Sequence, residues 1–334
     1  ARDGFVVAFD NDELHERLAQ FADLKLTDEE IRSRFFGNTR SKKYPAGDTR
    51  GWQLHKARRR MSECTQWKNR IVPCLYRPFD QRQIFWATWM IDWPRTNVMD
   101  HLAHQQNLAL IARRQTPSAQ PCTHFWVTNR IAIDGVIRSD NRGSESVFPL
   151  FLSQNSQPGE PDERPELRAN FSQTFIDYCC SQLNLEWQDD GDPDTVSLNA
   201  HTLFGYIYAL FHCPGYRHRY ADQLRMDFPR VMVPGDRDLY FAMARLGREL
   251  VQAHLLLTTA VPSGIRFDGD DADPVIVARG YPRHQAHTVW INAKAGFTPV
   301  GQEVWNYRVG TYQVCRKWLR DRRGRALSEL ERNR

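Results

Sequence analysis

Between Glu13 and Leu24, the apolar residues Leu14, Leu18 and Phe21 recur at helical spacing among polar neighbours. Thr27-Asp28-Glu29-Glu30 has the composition of a capping box, so a second helix opens there with Ile31 and Phe35 on its apolar side. Residues 37–51 carry Gly37, Pro45, Gly47 and Gly51 among basic residues and read as an exposed loop before a short helix from Trp52 to Met61. From Ile71 the period changes. Short runs at Ile71-Val72, Ile84-Phe85-Trp86, Leu108 to Ala112, Phe125-Trp126-Val127 and Ile131-Ala132-Ile133 predict strands. The stretch Ser153 to Glu166, with three prolines and no apolar residue, predicts a linker or long loop.

Helical spacing returns at Phe171 to Leu183, His201 to His212, Gly215 to Leu224 and Asp238 to Leu257. In the last of these, Leu239, Met243, Leu246, Leu250, Ala253 and Leu257 form a stripe that predicts a buried face. Polar loops follow at Trp187 to Asp194 and Asp268 to Asp273, then strand-like runs at 275–277, 288–291 and 304–309 and a helix over Tyr312 to Leu319. The pattern predicts an α+β fold: a mixed, short-stranded sheet region, a helical lobe, and a small C-terminal β/helix segment. The expected units are a helical spacer or tail at 1–70, a mixed β region at 71–152, a helical lobe at 167–260 and a C-terminal β segment with a basic helix at 261–334.

With 41% apolar and 12% aromatic residues over 334 positions, the chain has a globular composition and enough length for two or three lobes. The longest apolar candidate, Ala253 to Ala260, falls far short of a membrane span. The chain begins at Ala1 without a basic-then-apolar leader, which reads as a piece of something longer. Seven scattered cysteines with no C-x-x-C pair read as reduced thiols of a cytoplasmic protein.

The net charge of +5 conceals a strong asymmetry. Residues 1–150 hold 23 basic and 17 acidic groups, 151–274 hold 10 and 19, and 275–334 hold 12 and 4. Residues 31–60 carry ten basic groups against one acid, Asp48, and six basic residues crowd Arg316 to Arg325. Each cluster alone reads equally as a solvated helix face; together they point to a polyanion.

Common catalytic loops are absent. There is no G-x-G-x-x-G, no P-loop, no G-x-S-x-G and no Asn/Asp-Pro-Pro-aromatic turn. Asp268, Asp270, Asp271 and Asp273 lack the later Glu of a calcium loop and read as a solvated turn. His101/His104 and His284/His287 lack a third ligand at a recognisable interval, so no metal site and no catalytic residue is assigned. The chain reads as a binder. Two constellations suit nucleic acid. The run Leu75 to Arg82 brackets Asp80 with Arg77 and Arg82, and reads equally as a tight turn with an internal Arg–Asp pair or as a DNA contact. Asn107 to Gln115 is a strand that delivers Arg113, Arg114 and Gln115 at its end, beside Asn129 and Arg130, and Arg, Gln and Asn are the usual major-groove readers.

These pieces, together with Arg2 to Val6, Phe148 to Leu152, Leu203 to Leu210, Tyr216 to Tyr220, Asp227 to Val231, Leu246 to Leu250, Tyr307 to Val314 and Lys317 to Leu319, occur in order along nearly the whole chain. The ordered set resembles the C-terminal specificity region of type ISP restriction-modification enzymes. Those are single polypeptides joining a nuclease, a helicase-like translocase, an N6-adenine methyltransferase and a target recognition domain. The resemblance implies a prokaryotic module that reads double-stranded DNA in phage defence. Its partners would be upstream methyltransferase and helicase/nuclease domains, and S-adenosylmethionine would bind upstream and not in this chain. Within that picture the base readers are sought among Arg77, Arg82, Arg113, Arg114, Gln115, Asn129 and Arg130. The phosphate-binding residues are sought among Arg58, Arg59, Arg60, Arg308, Lys317 and Arg320. Tyr76 or Phe79 is a candidate to stack on an extruded adenine. Two other classes remain open: a stand-alone metal-dependent nuclease or hydrolase using acids such as Asp189, Asp190 and Asp192, and a protein-interaction lobe built on the acidic middle segment.

Overall fold

The computed structural model describes residues 3–37, 43–103, 106–116, 122–138, 145–153, 167–189, 191, 196–258, 264–269 and 277–333. The expectations for the 154–166 linker, for Asp190, Asp192, His104, Arg40 and Lys42, and for most of the 268–273 loop fall outside them.

The chain opens with a helical turn, α1 (Asp3–Val6), and a short strand, β1 (Val7–Ala8). Helix α2 (Asn11–Ala22) buries Leu14, Leu18 and Phe21 as its spacing predicts. Helix α3 (Asp28–Phe35) starts on the capping box, with Thr27 accepting from the Glu30 amide and Glu30 accepting from the Thr27 amide. Helix α4 (Leu54–Glu63) turns Leu54, Ala57 and Met61 inward. The strands β2 (Ile71–Arg77) and β3 (Asp80–Phe85) form a hairpin whose two-residue turn places Phe79 at φ +61°. Helix α5 (Thr96–Ala103) follows, then β4 (Ala109–Arg113), β5 (Phe125–Thr128), β6 (Ile131–Ala132) and β7 (Glu145–Pro149). One sheet has the order β1-β3-β2-β6, with β6 parallel to β2, and a second has the antiparallel order β5-β4-β7. Strand β7 lies at the edge, which is where a strand ending in Pro149 is tolerated. A two-stranded ribbon, β8 (Phe151–Ser153) with β9 (Leu167–Ala169), leads out of this region.

The second sheet joins two cores by simple alternation. Ala109, Ile111 and Trp126 pack into the same core as α1 to α5, whereas Ala112 and Phe125 pack into the helical core that follows. That core holds α6 (Gln173–Leu183), α7 (Ala200–His212), α8 (Pro214–Arg219), α9 (Ala221–Met226) and α10 (Arg237–His254). The single helix expected over Gly215 to Leu224 is two, because the backbone at Tyr220 (φ −105°, ψ 22°) leaves the helical region. Pro214 sits at the first turn of α8, where its missing N–H is harmless.

The buried stripe of α10 also differs from expectation. Leu239, Leu246 and Leu257 are exposed, and the inward face is Tyr240, Ala244, Gly247, Val251 and His254. The cause is a close crossing with α7: a Cβ on Gly247 would collide with the carbonyl oxygen of Gly205, and one on Gly205 would lie 2.5 Å from the carbonyl oxygen of Ala244. Only a glycine on each helix permits that approach, so the small face goes inside and the leucines go out. Gly247→Ala is therefore expected to destabilise the chain by about 1–3 kcal/mol, read as a lower urea midpoint. An unchanged midpoint would mean that the crossing is not tight.

The C-terminal segment has a small core of its own around Val277, Val289, Ile291 and Leu319. Its sheet has the order β10 (Arg266–Asp268), β13 (Gly296–Thr298), β12 (Thr288–Trp290), β11 (Arg283–Gln285). The strand expected over 304–309 is instead a short helix, α11 (Gln302–Asn306), and a two-residue strand, β14 (Arg308–Val309). Gly301 starts the helix, and the Gln313 side-chain amide donates to the Trp305 carbonyl at 2.6 Å. The β14–β15 (Tyr312–Gln313) hairpin docks on the first core, with the Tyr312 hydroxyl donating to the carbonyls of Gly135 and Arg138 at 2.9 and 2.7 Å. The basic helix α12 (Val314–Asp321) and a final turn, α13 (Glu329–Asn333), complete an α+β fold.

Candidate nucleic-acid interface

The structure sorts the thirteen cationic and amide candidates by what their side chains already touch. In the β2–β3 hairpin, Asp80 is 1% exposed and accepts from Arg82 at 2.9 Å on one oxygen and from Arg322 at 3.0 Å on the other. Arg322 also donates to Glu331 at 2.7 Å and lies over the Trp318 ring. Arg82 lies 3.5 Å from Asp321, which pairs with Lys317 at 2.5 Å. The alternative of a turn with an internal Arg–Asp pair is what forms here, extended by α12 into a network. Tyr76 is stacked on Arg82 at 3.5 Å and on Arg77 at 4.3 Å, while Phe79 meets Trp126 edge-on at 4.8 Å. Both rings are half-buried against these protein groups.

The end of β4 is pinned to α9. Thr116 bonds the Leu224 carbonyl through its amide at 3.2 Å, Gln115 donates to the Met226 carbonyl at 3.2 Å, and Arg114 pairs with Asp227 at 3.0 Å. Arg113 is buried opposite Glu145 in the β4–β7 ladder. Arg114 and its partner are both largely exposed, so this pair is worth little to the fold and the guanidinium keeps donors facing solvent. The Asp227 carboxyl is held below its usual range by the Phe228 amide first and by Arg114 second.

Asn129 and Arg130 lie in the turn between β5 and β6. Thr128 fixes the turn, its hydroxyl accepting from the Arg130 amide at 3.0 Å and donating to the Arg130 carbonyl at 2.8 Å. Arg130 is exposed, and both residues line a cleft of about 980 Å³ whose wall includes Pro73, Leu108, Phe151 and His201. A rigid turn that holds an exposed guanidinium beside a cleft suits planar, two-point recognition of a base edge by Arg130, while the Asn129 amide is half-buried with its oxygen turned inside.

Of the phosphate candidates, Arg58 has a different task. It is 2% exposed, and its guanidinium donates to the carbonyls of Phe21, Asp23 and Leu26 and to Asp28, tying α4 to the end of α2. Its spacing from Leu54 and Met61 puts it on the inner face of α4, a signal present in the sequence. Arg59 and Arg60 are exposed on the other face, and Arg60 covers the Trp89 ring at 5.2 Å. Arg308 and Arg320 are exposed, while Lys317 is half-buried in its pair with Asp321.

Among the described residues there is no group of three His, Cys, Asp or Glu side chains placed to hold a metal ion. Asp189 accepts from the Trp187 indole at 2.7 Å, and His284 stacks on Trp305 at 5.7 Å. No helix among the described residues is long and apolar enough to cross a membrane. Two features were not singled out in the sequence. One is a buried aromatic–histidine cluster, where the Tyr208 hydroxyl meets His254 Nδ1 at 2.6 Å and the His254 ring stacks on Trp126 at 4.3 Å. The other is Trp93, 84% exposed in the loop after β3.

The family described as the Type ISP C-terminal specificity domain matches residues 1–332. This chain belongs to that family. No curated protein matches the specificity domain. Solved structures share its fold, among them three with DNA. The DrdV–DNA complex has a TM-score of 0.65 and 19% identity over 96% of the specificity domain. The ATP-dependent Type ISP enzyme LlaBIII bound to DNA has a TM-score of 0.63 and 18% identity over 92%. A nuclease-deletion mutant of the Type ISP enzyme LlaGI with a DNA substrate mimic has a TM-score of 0.60 and 16% identity over 95%. The specificity domain spans 30%, 19% and 23% of those three chains.

Proposed function

We propose that this specificity domain reads a target sequence in double-stranded DNA for an N6-adenine methyltransferase and restriction activity carried on neighbouring domains, in the cytoplasm of a prokaryote. The observation that carries the reading is the braced Asn129–Arg130 turn lining the cleft, in a family described as specificity domains whose solved neighbours are DNA complexes. Arg130, Asn129 and the exposed Arg114 are the base readers best placed for the task, because Arg82 and Arg113 are buried. Arg77, flanked by Tyr76 and Tyr312, and Gln115, bonded to Met226, are second choices. Phosphates fall to Arg59, Arg60, Arg308 and Arg320, with Lys317 shared between DNA and Asp321. Methyl transfer itself and the S-adenosylmethionine site belong to the rest of such an enzyme.

Arg130→Ala, tested in the full-length enzyme, is expected to lower discrimination at one base pair by roughly 5- to 150-fold while other positions keep theirs. Arg320→Ala should weaken all sequences alike. Site selection that survives Arg130→Ala, Asn129→Ala and Arg114→Ala together would remove this turn and its neighbour from the reading surface. The exposed leucines of α10 favour a second, compatible role for the helical lobe, as a seat for another domain of the same polypeptide.

A further inference from the structure

The loop between β3 and α5 is anchored along its length. Trp86, Met90 and Ile91 are buried, the Met90 and Ile91 amides both donate to the Ala87 carbonyl, and the Trp86 indole donates to Asp100 at 3.2 Å. The Trp89 carbonyl accepts from the Trp52 indole at 2.9 Å. At the far end Arg95, with φ +47°, donates to the Ala132 carbonyl of β6 and caps the start of α5 through its own carbonyl. Pro94 restricts the backbone of Trp93 to extended conformations. The indole of Trp93 nevertheless stands 84% exposed. Tryptophan is highly buried on average, and an indole held in water by a fixed backbone contributes almost nothing to folding.

The loop carries Asp92 and Arg95 on either side of Trp93-Pro94, it packs against a helix that bears cations, and Arg95 reaches the strand that follows the proposed reading turn. Arg60 lies on Trp89 of the same loop, Arg59 and Lys56 are exposed on the same helix, and the strand that receives Arg95 begins directly after Arg130. An exposed aromatic face on a fixed loop, with cations on the same loop and on the helix it packs against, has the chemistry of base stacking. We propose that Trp93 is a stacking wedge that presses against, or enters, an unstacked base step of the DNA beside the surface read by Asn129 and Arg130. This rests on the DNA-reading function proposed above. It adds a contact that is tolerant of sequence, and so supplies affinity and local distortion where the turn supplies discrimination.

The test uses the 334-residue chain and two 30-base-pair duplexes of random sequence, identical except for one abasic position. The wild type is expected to bind the abasic duplex several-fold more tightly, because its step is already unstacked. Trp93→Ala is expected to lose that preference and to bind both duplexes roughly 5- to 100-fold more weakly, with Trp93→Phe retaining most of the effect. Its thermal midpoint and the salt dependence of its binding should match the wild type, since the side chain is exposed and uncharged. Trp93→Ala binding both duplexes as the wild type does would overturn the wedge and leave the DNA-reading function standing. Wild-type DNA affinity combined with weakened association with the methyltransferase would assign Trp93 to a protein interface and overturn it equally. A wild-type chain with no salt-sensitive DNA binding would sink the function and the wedge together.

Discussion

Asp80→Ala is expected to lower the stability of the chain by about 3–5 kcal/mol, the usual result of removing one member of a buried charge network. The carboxylate stands between Arg82 and Arg322, which are themselves nearly buried, and the second of these comes from 242 residues further along the chain. Alanine would remove the carboxylate that the two guanidiniums share, leaving Arg322 with Glu331 and Arg82 with Asp321 at 3.5 Å, so the loss is two buried charge-assisted hydrogen bonds and the screening between the two arginines. Because Arg322 belongs to the C-terminal segment, the damage should appear first as detachment of α12 and α13 from the β2–β3 hairpin. Urea denaturation followed by circular dichroism measures the total, and proteolysis near Arg322 measures the detachment. Asp80→Asn should be milder, since the amide oxygen still accepts from one arginine. A midpoint within experimental scatter of the wild type would show that the network is incidental.

Mild acid is expected to destabilise the chain through two histidines. Burial, followed by the nearby Arg217 guanidinium, pushes His212 down to about 3 and His254 down to about 4. In the unfolded chain both return to the ordinary value near 6.5. Above that value neither state binds the protons and the contribution is complete. As the pH falls through the window from about 6.5 to 4, the unfolded chain takes up two protons that the folded one refuses, and stability drops by up to about 2.7 kcal/mol per pH unit. The His212→Gln, His254→Gln double variant should show a flatter profile between pH 7.5 and pH 5. A wild-type profile that is already flat there would mean that the cluster opens to water or keeps its protons.

What the sequence disclosed was local. Leu14, Leu18 and Phe21, the capping box at Thr27 and the strands at 71, 109 and 125 are each decided by neighbours a few residues away, and each forms where periodicity places it. The leucine stripe of α10 misled because the winning contact is between Gly247 and Gly205, 42 positions apart, and periodicity carries no record of how closely two backbones approach. Among the site candidates, Arg58 and Arg130 look alike as letters in basic or polar runs. The spacing of Arg58 from Leu54 and Met61 already sets it on an inner face, but the three carbonyls and the carboxylate that claim it come together only once α2, α3 and α4 have packed, whereas Arg130 stays exposed.

The buried arginines also bear on how strongly ionic strength should act on DNA binding. The salt slope of such a complex counts the cations released from the duplex, and only side chains that reach phosphate release them. Arg32, Arg58, Arg82, Arg113, Arg138 and Arg322 are all interior, and the ion pairs of Arg32, Arg58, Arg82, Arg138 and Arg322 are with carboxylates of the same chain. A polyanion approaching this protein therefore meets fewer positive charges than its composition advertises, and a slope predicted from the 45 lysines and arginines would be too steep.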